Sequence, residues 1–68
     1  MKSLEAERKK NHMTQEALAS CIGVNRTTVT KWETGQAVPS LKNLRKIARL
    51  FCCTLDELVA ETEEQKHV

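Results

Sequence analysis

Residues 15–34 read QEALASCIGVNRTTVTKWET, and this stretch decides the fold. Leu18, Ala19 and Ile22 form a helical stripe at i, i+1 and i+4, which Gly23 interrupts. Asn25 is a favoured N-cap residue, and the spacing predicts a second helix over 26–33 with Val29 and Trp32 on its inward side. Val24 is the single apolar plug in the turn between them. Two helices joined steeply by so short a turn need a small residue where their backbones cross and a glycine at the corner. Ala19 and Gly23 meet both needs. Left outward on the second of these helices are Arg26, Thr27, Thr30 and Lys31, with Thr28 to one side and no carboxylate before Glu33.

Those outward groups suit the major groove of duplex DNA. Arginine can bond a guanine edge in bidentate fashion, and threonine can donate, accept or pack its methyl on thymine. The helix start also directs free N–H groups outward, which suits phosphate. Four polar residues on one side would by themselves also describe a solvated helix face. Trp32 could stack on a base, but its helical spacing from Val29 assigns it to the core.

Working outward, apolar spacing marks five short helices in all. The first is expected from about Ser3, as cap, to Lys10, with Leu4 as its core residue and Asn11 or His12 as its end. Thr14 caps the second, and Glu16 stands favourably in its first turn. Thr34-Gly35 stops the third. Ser40 follows Pro39 and caps the fourth, whose Leu41, Leu44, Ile47, Ala48 and Phe51 make an amphipathic face. Cys52-Cys53 is a break. Thr54 with Glu57 forms a capping box for the fifth, with Leu55, Leu58 and Val59 as its apolar side. Residues 62–68 carry no stripe and are expected to fray, so the chain divides into one domain over 1–61 and a polar tail over 62–68.

With 68 residues there is room for one domain only, and its 40% hydrophobic and 29% charged content is that of a folded chain. The net charge of +2 is unevenly spread. Residues 8–49 hold nine Lys or Arg against Glu16 and Glu33, whereas residues 50–68 hold Lys66 against Asp56, Glu57, Glu61, Glu63 and Glu64. A basic body attracts a polyanion, and an acidic end faces elsewhere. Lys42, Arg45, Lys46 and Arg49 form a basic face on the fourth helix, serving either solubility or a flanking phosphate near Lys42. The N-terminal MKSLEAERKK lacks the apolar run of a signal peptide, and no stretch is long enough to span a bilayer. A cytoplasmic protein is expected. The three cysteines make no disulfide framework and no C-x-x-C pair, and His12 and His67 are not spaced as metal ligands. They are read as reduced thiols filling apolar space, with no metal and no cofactor.

The ordered series Thr14-Gln15-Glu16-Ala17-Leu18-Ala19, Ile22-Gly23-Val24, Arg26 to Glu33, Gly35, Pro39-Ser40-Leu41, Leu44 and Leu55-Asp56-Glu57-Leu58 resembles the Cro and repressor-type (XRE-like) helix-turn-helix family of bacteria and phages. The resemblance covers about residues 3–61. It implies an all-α, five-helix domain of the lambda-repressor-like type, helices two and three forming the helix-turn-helix. It further implies that Arg26, Thr27, Thr30 and Lys31 face bases, that Asn25 and Thr28 touch the backbone, and that Gln15 bonds a phosphate and a base edge. Arg8 stands where the family often pairs a base with the acid at Glu33. Three positions depart from the pattern. Gln36 stands where Lys or Arg is frequent, Cys52 stands where Gly is common, and His12 stands where Gly often ends helix one.

Expected from this is a transcriptional regulator, a repressor in the first instance, acting as a homodimer on double-stranded DNA. Such dimers set their two reading helices about 34–36 Å apart on a pseudo-palindrome. Phe51, Cys53, Leu55, Leu58 and Val59 are the expected dimer surface. No nucleophile, carboxylate pair or Gly-rich phosphate loop points to an enzyme. The competing readings are a helical protein-interaction module on the same fold and an antitoxin that binds both a toxin and an operator.

Overall fold

The computed structural model describes residues 1–53, and the expected fifth helix with its Leu55, Leu58 and Val59 lies outside them. The described part is all-α: α1 (Lys2–Lys10), α2 (Gln15–Ile22), α3 (Arg26–Thr34) and α4 (Leu41–Leu50). α2 packs on α3, α1 crosses the back of α3, and α4 leans on α2. Leu4, Leu18, Val29 and Ile47 are the fully buried centre, and Ala19, Ile22, Trp32, Ala48 and Phe51 complete the core. Trp32 is 3% exposed, so it holds the core and is not a stacking surface.

The helix ends follow from local chemistry. The Thr14 hydroxyl accepts from the Ala17 N–H at 3.0 Å, and the Ser40 hydroxyl accepts from the Asn43 N–H at 3.2 Å. Each satisfies an N–H that has no partner within its helix. Gly23 closes α2 at φ +87°, where its N–H and that of Val24 both reach the Ala19 carbonyl. No atom stands within 4 Å of a Cβ built there, so the glycine is needed for its backbone angle alone. Gly35 closes α3 in the same left-handed conformation.

Several expectations are corrected. α1 begins at Lys2 with Met1 as its cap, ahead of Ser3. α3 runs one residue further, to Thr34, whose hydroxyl donates back to the Thr30 carbonyl. Asn25 caps α3 through its backbone only, its side chain making no cap bond. Val24 is half-buried. Leu41 is 56% exposed and is no part of the core. It is the first residue of α4, one turn before Leu44, which itself stands at the core's margin. Of the three cysteines, Cys21 and Cys52 are exposed, and only Cys53 packs against the core.

Two corners use a left-handed residue that has a Cβ: His12 at φ +57° and Cys52 at φ +55°. These are the positions where the related pattern has glycine. An L-residue held there is strained by about 1–2 kcal/mol, against roughly 0.5–1 kcal/mol of extra unfolded-chain entropy for glycine. His12→Gly and Cys52→Gly should therefore each raise stability by about 0.5–1 kcal/mol in urea unfolding. Equal or lower midpoints would show that neither corner stores strain. Ala19 on α2 is 3% exposed and belongs to the core, where a larger side chain has to displace packed neighbours. Ala19→Leu should cost about 1–3 kcal/mol by overpacking, and parental melting would refute this placement of the helix crossing.

Candidate nucleic-acid interface

The inward side of α3 fixes what its outward side can present. With Val29 and Trp32 buried, Arg26, Thr27 and Lys31 are exposed and Thr28 and Thr30 are half-exposed. Asn25, at the start of the helix, is exposed as well. Arg26 and Lys31 make no ion pair among the described residues. Arg26 shares a shallow groove with Thr14, Gln15, Glu16 and Arg8, so the start of α2 and the start of α3 form one surface. Glu16 sets a carboxylate on that surface, a feature hidden when α3 is read alone.

The groove is held from beneath by a polar chain. Arg8 on α1 grips Glu33 on α3, with Nε donating to Oε2 at 2.6 Å and Nη2 to Oε1 at 3.1 Å. Its Nη1 donates to the Met13 carbonyl at 2.7 Å, closing the end of α1 as well. The two side chains are 11% and 3% exposed, so the family-implied pair exists and is buried. Gln15 then donates from Nε2 to Glu33 Oε1 at 3.0 Å and accepts on Oε1 from the Thr30 hydroxyl, also at 3.0 Å. Every buried side-chain polar atom among the described residues has a partner.

This chain changes what two of the expected contact residues can offer. One Nε2 hydrogen of Gln15 is taken by Glu33 and the other remains. The Thr30 proton lies between Gln15 Oε1 and the Arg26 carbonyl, 3.2 Å away, so its methyl and lone pairs are what it presents. Neither link was readable from spacing, because the partners are 15 and 18 residues apart. The only signal was the coexistence of an amide at 15, a hydroxyl at 30 and an acid at 33. Of the expected dimer residues, Phe51 is buried in this chain's own core and Cys53 packs against it. Among the described residues no three His, Cys, Asp or Glu side chains converge as metal ligands, and no helix is long and apolar enough to cross a membrane.

A small two-helix corner that presents a cationic, hydroxyl-rich helix from a buried apolar back defines the helix-turn-helix class. The chain belongs to the Helix-turn-helix family, whose model matches residues 4–58. It is 38% identical over 60 residues to the HTH-type transcriptional activator BcrR of Enterococcus faecalis, covering 88% of this chain and 29% of that protein. It is 43% identical over 58 residues to an uncharacterized HTH-type transcriptional regulator of Archaeoglobus fulgidus, covering 85% and 82%. It is 38% identical over 55 residues to the cryptic phage CTXphi transcriptional repressor RstR of Vibrio cholerae, covering 81% and 49%. The chain thus spans less than a third of one of these relatives, half of another and most of the third. No solved structure matches it significantly.

Burial works to raise the Glu33 carboxyl, but the hydrogen bonds from Arg8 and Gln15 and the Arg8 charge outweigh it and hold the group below its ordinary value. The hydrogen bond to Glu33 in turn raises the Arg8 guanidinium. A depressed carboxyl stabilises the fold fully above its unfolded value, about 4.3, and loses that contribution as pH falls through the lower folded value. Arg8→Leu should cost about 3–5 kcal/mol at neutral pH by stranding a buried carboxylate. It should also flatten the acid trend. Without Arg8, two of the causes that lower Glu33 are gone, its carboxyl moves upward, and the variant loses less stability than the parent as pH falls. Melting temperature against pH checks both, and a variant whose profile parallels the parent's would place the pair outside the stabilising framework.

Proposed function

We propose that this chain is a sequence-specific, double-stranded DNA-binding transcriptional regulator that acts as a homodimer on a pseudo-palindromic operator. The observation carrying this reading is the two-sidedness of α3: Val29 and Trp32 buried on one side, Arg26, Thr27 and Lys31 exposed on the other with no exposed carboxylate of α3 among them. Arg26 reads a base edge, with Thr27, Lys31 and the Thr30 methyl beside it. Asn25 and Thr28 touch the backbone at the helix start, and Gln15 gives its remaining N–H to a phosphate from the start of α2. Glu16 beside Arg26 limits how closely the phosphates approach that end and so favours one docking register.

Dimerisation follows from size, since one short helix reads few base pairs and useful affinity needs two. The partner surface we favour is Phe51, Cys53, Leu55, Leu58 and Val59, of which Phe51 is buried in this chain's own core and Cys53 packs against it. Repression is the reading we favour, because a bound dimer can itself block a promoter. The relatives named above include an activator and a repressor, so the sign of regulation is itself to be measured. A protein-interaction module or antitoxin on this fold is the alternative, and salt separates them. A reader contacting about six phosphates has a slope of log K against log salt near −5, whereas weak binding that is flat with salt supports the interaction module.

Selection of bound sites from a random duplex pool supplies the preferred sequence, its half-site spacing and its symmetry. On that sequence Arg26→Ala should weaken binding by about 1–3 kcal/mol and relax preference at one base position. An equal loss on all sequences would reassign Arg26 to the phosphates.

A further inference from the structure

The exposed side of α4 is not used by the reading above. Lys42, Arg45, Lys46 and Arg49 recur along it at helical spacing, all four exposed, and line one shallow groove with the exposed Leu41. None of the four makes an ion pair among the described residues. α4 itself carries no acid. Two observations say where this stripe lies. α4 leans on α2, and the Lys46 ammonium donates to the Ile22 carbonyl at 3.3 Å, at the last residue of α2. Three residues later in the chain stands Asn25, where α3 begins. The middle of the stripe is therefore pinned to the corner from which the reading helix starts.

We propose that Lys42, Arg45, Lys46 and Arg49 form a second phosphodiester-binding surface, a cationic rail that extends the DNA contact beyond the bases α3 covers. The proposal rests on the DNA-binding reading of α3. From Lys42 to Arg49 the rail rises about 10 Å along α4. Each strand of duplex carries one phosphate per ~3.4 Å of axis, so the rail matches about three phosphates of one strand. Its cations are long, flexible and carry no neighbouring shape or hydrogen-bonding partner that would select a base. The contact is therefore to the backbone and independent of sequence. Leu41 at the groove's edge gives the aliphatic stems an apolar surface to lie on.

Arg45→Gln with Arg49→Gln tests this without touching Lys46, which closes the end of α2. Binding is measured against salt on two duplexes, one trimmed to the bases α3 covers and one continued past them on both sides. On the longer duplex, loss of two phosphate contacts lowers the salt slope by about 1.8 and weakens every sequence alike. On the trimmed duplex the variant matches the parent, and on both the base preference is kept. Arg26→Ala, run in parallel, loses base preference while keeping the difference between duplexes. An unchanged slope on the longer duplex overturns the rail, and if Arg26→Ala still loses preference the reading helix stands. Unchanged duplex binding with lost binding to poly-glutamate overturns it in favour of an acidic protein partner. A parent that binds neither duplex removes the reading on which the rail depends. Circular dichroism of the double variant, matching the parent's, excludes misfolding as the cause of any loss.

Discussion

The Arg8–Glu33 pair is the constraint on which the rest depends. Two charges held in so dry a place are stable only while each faces the other, because either alone would carry an uncompensated desolvation penalty. The pair therefore acts as a lock with one permitted state. It fixes α1 against α3, closes the end of α1 through Met13, and leaves one Glu33 oxygen with capacity to take the Gln15 amide. Apolar packing of Val29 and Trp32 holds the inward side of α3 against the body. A bidentate ion pair near its far end adds a directional tie. What α3 presents to the outside is thus chosen from within.

The path from the lock to the surface is short. Glu33 orients Gln15, Gln15 orients the Thr30 hydroxyl, and Thr30 stands one turn from Arg26. Side chains ordered before a ligand arrives lose less freedom on binding, so this chain of bonds supplies preorganisation at the start of α2 and the middle of α3. Arg26 and Lys31 are not restrained in this way, and their long side chains remain able to adapt. The surface combines a hydrogen-bonded part, Gln15 and Thr30, with an exposed part, Arg26 and Lys31, that no ion pair among the described residues holds.

Much of the architecture was legible because the chain marks its helix ends with residues of narrow purpose. Thr14 and Ser40 cap as their chemistry demands, and Gly23 and Gly35 take the left-handed angles that end α2 and α3. Periodicity also found the inward face of α3 and placed Trp32 in the core. It failed at Leu41, where the pattern of α4 continues one turn beyond the body it packs on, since spacing records a face but not where the neighbouring element stops. Asn25 was legible as a cap by type and by backbone but not by side chain. The ion pair could be expected from the family pattern alone, and its extension through Gln15 to Thr30 from neither pattern nor period. Bonds between residues distant in sequence depend on the angle between helices, which one-dimensional spacing does not carry.

The position of Gln15 between an anion and a hydroxyl has one more consequence. A carbonyl oxygen turned towards Glu33 would meet a group that only accepts, so the amide has a single permitted orientation. Its remaining N–H is thereby aimed by electrostatics, with no dependence on rotamer chance. Glutamate there would set two anions together, and lysine would have no acceptor for Thr30. Variation at this position is accordingly narrowed to side chains that donate and accept at once, although nothing about its exposure would suggest so strict a choice.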